Sequence, residues 1–108
     1  MPSSKPRVEA CVRLDLNNPE FLNVFLNLPA AELQQVARSL LRLRGMEWRA
    51  VGASKGLHWE AIAHIPTPDG GVAHSLRLSG KTRAIAYRDG AFMRVVSLHP
   101  DHDSAYRR

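Results

Sequence analysis

The chain has 108 residues, 44% hydrophobic and 23% charged, the balance of an ordinary single globular domain rather than a disordered segment. Lys and Arg outnumber Asp and Glu by 15 to 10, a net charge of +5 with the histidines neutral, which suits a polyanion such as RNA or DNA, or an acidic protein, as partner. Cys11 is the only cysteine, which excludes an intramolecular disulfide and a cysteine-based zinc site and fits a reducing cytoplasm; no apolar run has signal-peptide or membrane-spanning character.

Residues 1–7 form a Pro/Ser/Lys lead expected to stay loose. From Val8 to Leu16, Val8, Ala10, Val12, Leu14 and Leu16 alternate with polar residues, the period of a half-buried strand. Asn18 is a good N-cap, and Pro19 suits a first helical position, where its missing N–H costs nothing. Phe21, Val24, Phe25 and Leu28 then follow helical spacing. Pro29 ends that helix and opens a second one with an apolar stripe of Leu33, Val36, Ala37, Leu40 and Leu41. Arg38, Arg42 and Arg44 crowd toward its C-terminal end, where they oppose the helix dipole, and Gly45 is placed to close it. The pair reads as a helical hairpin covering one face of a sheet.

Residues 45–71 carry the weakest pattern: a short strand within Leu57–Ile62, then a turn or loop at Pro66-Thr67-Pro68-Asp69-Gly70-Gly71. Three strands follow, at 72–78, 82–88 and 92–98, the last two joined by Asp89-Gly90, a dipeptide favoured in type I′ hairpins. The expected architecture is α+β: an N-terminal strand and helical hairpin packed on a small twisted antiparallel sheet. Basic residues concentrate in this C-terminal part, with Arg77, Lys81, Arg83, Arg88, Arg94, Arg107 and Arg108 set against Asp89, Asp101 and Asp103.

The run from Ser54 to Tyr106, with KTRAIAYR at 81–88 and HPDHDSAY at 99–106, resembles the RelE/HigB/ParE superfamily of bacterial toxins over roughly half the chain. That resemblance implies two helices on a twisted sheet, a cognate antitoxin, and either cleavage of mRNA on the ribosome or, for ParE-like members, inhibition of DNA gyrase. A third reading is a plain protein-interaction domain. The matching positions are Arg83, His102, Asp103 and Tyr106.

RNA cleavage without a metal needs a base for the ribose 2′-OH, an acid for the leaving 5′-oxygen, and a cation at the phosphorane. Arg83 is the candidate phosphate clamp, and Lys81, two residues away, shares its face if both lie in an extended segment. His102 titrates near neutrality and is the candidate for proton exchange; Tyr106 is a candidate to hydrogen-bond or stack on a base. Arg77, Arg88 and Arg94 form a candidate RNA-binding set of unsettled sidedness. Each has an alternative: Arg83 as a partner for Asp101 or Asp103, Lys81 as an ordinary turn lysine, His102 as a loop brace, Tyr106 packed on the sheet edge. His99, Asp101, His102 and Asp103 do not have the spacing of a helical zinc pair, so neither metal nor cofactor is expected. Trp48 and Trp59 are candidates to stack on bases, with core packing the commoner fate in a small domain with few aromatics, and Cys11 reads as a small buried hydrophobe.

Overall fold

In the computed structural model, which describes residues 10–100, Asn18 adopts the extended N-cap conformation, and its side-chain oxygen accepts from the Glu20 backbone N–H at 2.8 Å. This opens helix α1 (Pro19–Phe25), with Pro19 at its first position. Pro29 precedes helix α2 (Ala30–Leu43), and Gly45 follows it with φ of 85°, a left-handed conformation that costs glycine little. A third helix, α3 (Trp48–Ala53), was not among the expected elements; at six residues it is too short to show an apolar period.

Five strands complete the domain: β1 (Arg13–Asp15), β2 (Glu60–Ile62), β3 (Ala73–Arg77), β4 (Arg83–Asp89) and β5 (Phe92–His99). They form one sheet in the order β1-β5-β4-β3-β2. The pairings within β2–β5 are antiparallel, but β1 joins β5 in parallel, so the sheet is mixed rather than purely antiparallel. The three helices carry the chain from β1 at one edge of the sheet to β2 at the other, and β2–β4 follow before β5 pairs with β1. Only three residues of the expected N-terminal strand are paired as β1; Val12 is nevertheless buried, with Leu14 and Leu16 packed against the core.

The expected type I′ turn is also different in kind. The two-residue loop is Gly90-Ala91, and φ is positive at Gly90 (64°) but not at Ala91, the pattern of a type II′ turn with its glycine first.

The helices cover one face of the sheet. Phe21, Val36, Leu40, Leu43, Trp48 and Val51 meet Leu76, Leu78, Ala84, Ala86, Met93, Val95 and Leu98 there. Both tryptophans belong to this side. Trp48 donates its indole N–H to the Ala91 carbonyl at 3.1 Å and meets Trp59 edge-on, and Trp59 stacks on His74 at 4.3 Å. Cys11 is only partly buried, at an isolated bridge to Glu47.

A polar node fastens α2 to the β3–β4 turn. Glu32, only 8% exposed, accepts hydrogen bonds from the hydroxyls of Ser79 and fully buried Thr82, while Ser39 donates to the Leu78 carbonyl. Those hydroxyls hold the Glu32 carboxyl below the usual carboxylate range, and Lys81 adds a smaller effect in the same direction. Glu32→Ala strands the Thr82 hydroxyl and is expected to cost on the order of 2–3 kcal/mol, measurable by thermal or urea unfolding. The pH dependence has a definite sign. The stabilisation is fully present above the unfolded value near 4.5 and is lost as pH falls through the lower folded value. The variant should therefore lose part of the acid dependence that the wild type shows.

Candidate functional site

The face of the sheet away from the helices carries most of the polar groups, and the strand registers set them in rows. Arg77, Arg83 and His99 lie directly opposite one another across β3, β4 and β5. The next row is Glu60, Ser75, Ile85 and Ser97, and beyond it lie Ile62, Ala73, Tyr87, Arg94 and Asp15. Side chains directly opposite on one face stand about 5 Å apart at Cβ, so each row is a contact set.

Arg83 is the most unusual of these groups. One terminal nitrogen donates to the Ser75 hydroxyl at a long 3.4 Å, and its Nε is buried with no hydrogen-bond partner among the described residues. A buried guanidinium donor without an acceptor is costly, and such exceptions tend to mark sites where something else supplies the acceptor. Arg83 lines a cavity of about 290 Å³ with Glu60, His64, Ser75, Ile85 and His99.

His99 sits opposite Arg83, with its Nε2 3.1 Å from the Ser97 hydroxyl. Burial lowers its pKa from the ordinary 6.5, and the Glu20 carboxylate works in the opposite direction with smaller effect. The ring is therefore held toward its neutral form, able to accept a proton.

The other expected site residues separate. Arg77 shares the row of Arg83 and is exposed at the end of β3. Arg94 lies on the same face but is held by two carboxylates, Asp15 at 2.6 Å and Asp89 at 3.0 Å, with its guanidinium 4.6 Å from the Phe92 ring centre. Arg88 is on the opposite, helix-bearing side, 4.5 Å over the Trp48 ring, and its Nε donates to the Gly90 carbonyl at 2.8 Å. Lys81 falls in the turn before β4, so strand alternation does not carry it to the face of Arg83; its charge acts on Glu32 instead. His102, Asp103 and Tyr106 lie outside the described residues, as does Asp101.

Three participants were not singled out from sequence: His99 as an acid–base group, and Ser75 and Ser97 as its hydroxyl neighbours and those of Arg83. A signal for His99 was present. Core residues Met93, Val95 and Leu98 are spaced by two and then by three, which marks a one-residue bulge in β5. The register does shift there: Ala86 faces Val95, but Ile85 faces Ser97. Without that extra residue Arg83 would stand opposite Leu98.

No family model matches the chain, and no curated protein does. Among solved structures it is similar to a chain of the archaeal RelE–RelB complex from Pyrococcus horikoshii OT3, at 17% identity and a TM-score of 0.55, covering 85% of this chain and 94% of that one. None of the helices among the described residues is long and apolar enough to cross a membrane. Sequence identity at this level speaks for architecture alone, and on that ground three helices over one face of a five-stranded sheet constitute a RelE-like fold.

Proposed function

We propose that the protein is the toxin of a type II toxin–antitoxin pair, an endoribonuclease that cuts mRNA on the ribosome in the cytoplasm without a metal. The observation that carries this reading is Arg83: a half-buried cation with an unsatisfied Nε, facing a cavity and set directly against a histidine biased toward neutrality. A phosphodiester supplies the acceptors that the guanidinium lacks, and the planar fork of donors matches phosphate oxygens. The likeness to a chain crystallised as a RelE–RelB complex supports the fold and, with it, an antitoxin as partner.

The proposed reaction is a transesterification within the RNA. Neutral His99 takes the proton from the ribose 2′-OH as the 2′-oxygen bonds to phosphorus. Arg83, with Arg77 beside it, stabilises the charge that builds on the non-bridging oxygens. The bond from phosphorus to the 5′-oxygen breaks, and that oxygen takes up a proton. The products are a 2′,3′-cyclic phosphate and a 5′-hydroxyl. His102, expected from sequence to exchange a proton, is the proposed donor to the 5′-oxygen, and Tyr106 is proposed to hold the substrate.

Induced expression in a bacterial host, with growth and mapped RNA ends as readouts, tests this reading. Growth arrest with new 5′-hydroxyl ends inside translated mRNAs is the expected result. Intact transcripts accompanied by cleaved or trapped DNA would assign the protein to gyrase instead, and unaffected growth at full expression would remove the toxin reading altogether.

A further inference from the structure

We infer that Glu32 is a positioning residue for the phosphate site: from α2, across the sheet from the cavity, it fixes the turn that holds Arg77 and Arg83 as a pair. The inference rests on the phosphate-binding role proposed for Arg83. It extends the site through the sheet to a buried residue that lines no part of the Arg83 cavity.

Arg77 is the last residue of β3 and Arg83 the first of β4, and the two stand directly opposite each other. Like charges so placed repel. The connection between them, residues 78–82, is longer than the two-residue loops in which turn type alone fixes the strands. The restraint comes from the helix side. Successive residues of an extended chain point to opposite faces, so Leu78 and Thr82, next to the two arginines, turn toward α2 and are buried. Each is tied to that helix by a side chain: Ser39 donates to the Leu78 carbonyl, and the Thr82 hydroxyl donates to the Glu32 carboxylate. The Ser79 hydroxyl is the hub of the turn. It donates to the same carboxylate oxygen and accepts from the N–H groups of Lys81 at 3.3 Å and Thr82 at 3.1 Å. The Leu78 N–H closes the loop on the Thr82 carbonyl at 2.9 Å.

Glu32 and Ser39 lie two helical turns apart and so share one face of α2. The buried residues of that helix are Glu32, Val36, Ser39, Leu40 and Leu43, and both polar members are committed to this one turn. A carboxylate is a costly group to bury for a structural tie alone, since a neutral side chain can accept from the same two hydroxyls. Its charge has a second use. Arg77, Lys81 and Arg83 put three cations within seven residues, and a fixed negative charge beneath the turn offsets their mutual repulsion. The Lys81 ammonium in return favours the ionised form of Glu32. The two guanidiniums are thereby kept side by side before any ligand arrives. A single phosphate then meets both without first drawing them together, and that preorganisation strengthens binding.

The test is binding of a random-sequence pool of 2′-O-methyl RNA trinucleotides, which lack the attacking hydroxyl and stay intact, alongside RNA-end mapping in cells. Binding is measured at a temperature where circular dichroism shows each variant folded. Arg77→Ala is expected to weaken binding about tenfold in the wild-type background. Thr82→Val, which keeps the side-chain shape and loses the hydroxyl, should weaken it about fivefold; Arg77→Ala added to that variant should cost only about twofold more, because the pair is already loosened. Thr82→Ser, which keeps the hydroxyl, should retain both the wild-type affinity and the full Arg77 effect. A change that merely lowers stability leaves the Arg77 effect undiminished in the folded protein, so an effect of about tenfold in the Thr82→Val background would overturn the inference. Glu32→Gln, which keeps an acceptor and removes the charge, serves where Thr82→Val is too unstable to measure. There an Arg77 effect of about threefold or less supports the inference, and about tenfold overturns it. No binding of the pool by folded wild type would overturn it as well. The expected coupling combined with uncut RNA in cells would keep the positioning role and discard the nuclease reading; cut RNA without the coupling would do the reverse.

Discussion

Replacing Arg83 with alanine is expected to relieve growth arrest and to lower RNA cleavage by on the order of 10²–10³-fold, while leaving the melting temperature unchanged or raising it. The two halves of this expectation have one cause. In the free protein the guanidinium makes a single weak bond to Ser75 and leaves its Nε buried without an acceptor, so it contributes little to the fold and incurs a desolvation penalty. Arg77 stands opposite on β3, and the like charges repel. Removing the side chain enlarges an existing cavity rather than opening a new one in the core. On the proposed reading, a phosphate in the cavity turns these losses into gains, which are largest in the transition state. Arg83→Lys keeps the charge but not the fork, and is expected to retain only a minor part of the activity. A purely structural role predicts the reverse pattern. A drop of several degrees in melting temperature with cleavage intact would remove Arg83 from the site.

Sequence alternation and capping went far toward this fold. Asn18-Pro19, Pro29 and Gly45 punctuate the helices as expected, and the strands at 73–77, 83–89 and 92–99 lie within a residue or so of where their period put them. Two features escaped because their causes are not local. The parallel pairing of β1 with β5 depends on how the whole intervening chain packs, and three residues of β1 carry no mark of it. The site itself depends on the bulge in β5. Period-two reasoning assigns Ser97 the same face as Val95, whereas the extra residue reverses the end of the strand and delivers Ser97 and His99 to the face of Arg83. The charge pattern had a similar limit. Arg77, Arg88 and Arg94 look equivalent along the chain, but strand parity and nearby carboxylates leave Arg77 beside Arg83, put Arg88 over Trp48 and tie up Arg94. Glu32, central to the turn that leads into β4, lacks any distinguishing neighbour until Ser79 and Thr82 are folded onto it.

His99→Asn should reduce cleavage by about 10²–10⁴-fold and remove the acidic limb of the pH–rate profile, whereas the melting temperature at pH 8 changes little. Asparagine keeps a polar side chain but ends short of the Nε2 position that meets Ser97, and it cannot take up the ribose proton. Because burial lowers the His99 pKa from 6.5, wild-type activity should rise with pH through an inflection below that value and be near its maximum by neutrality. Stability follows the same equilibrium. As pH falls below 6.5 the unfolded chain binds the His99 proton first, so the folded state loses stability until pH reaches the lower folded value, below which the loss levels off. His74, also pushed down by burial, adds a slope of the same sign from the other side of the sheet. The asparagine variant should therefore retain the His74 part of that slope and lose the rest. A rate profile that keeps its acidic limb in His99→Asn would transfer the role of base to another group, with His102 the first to substitute.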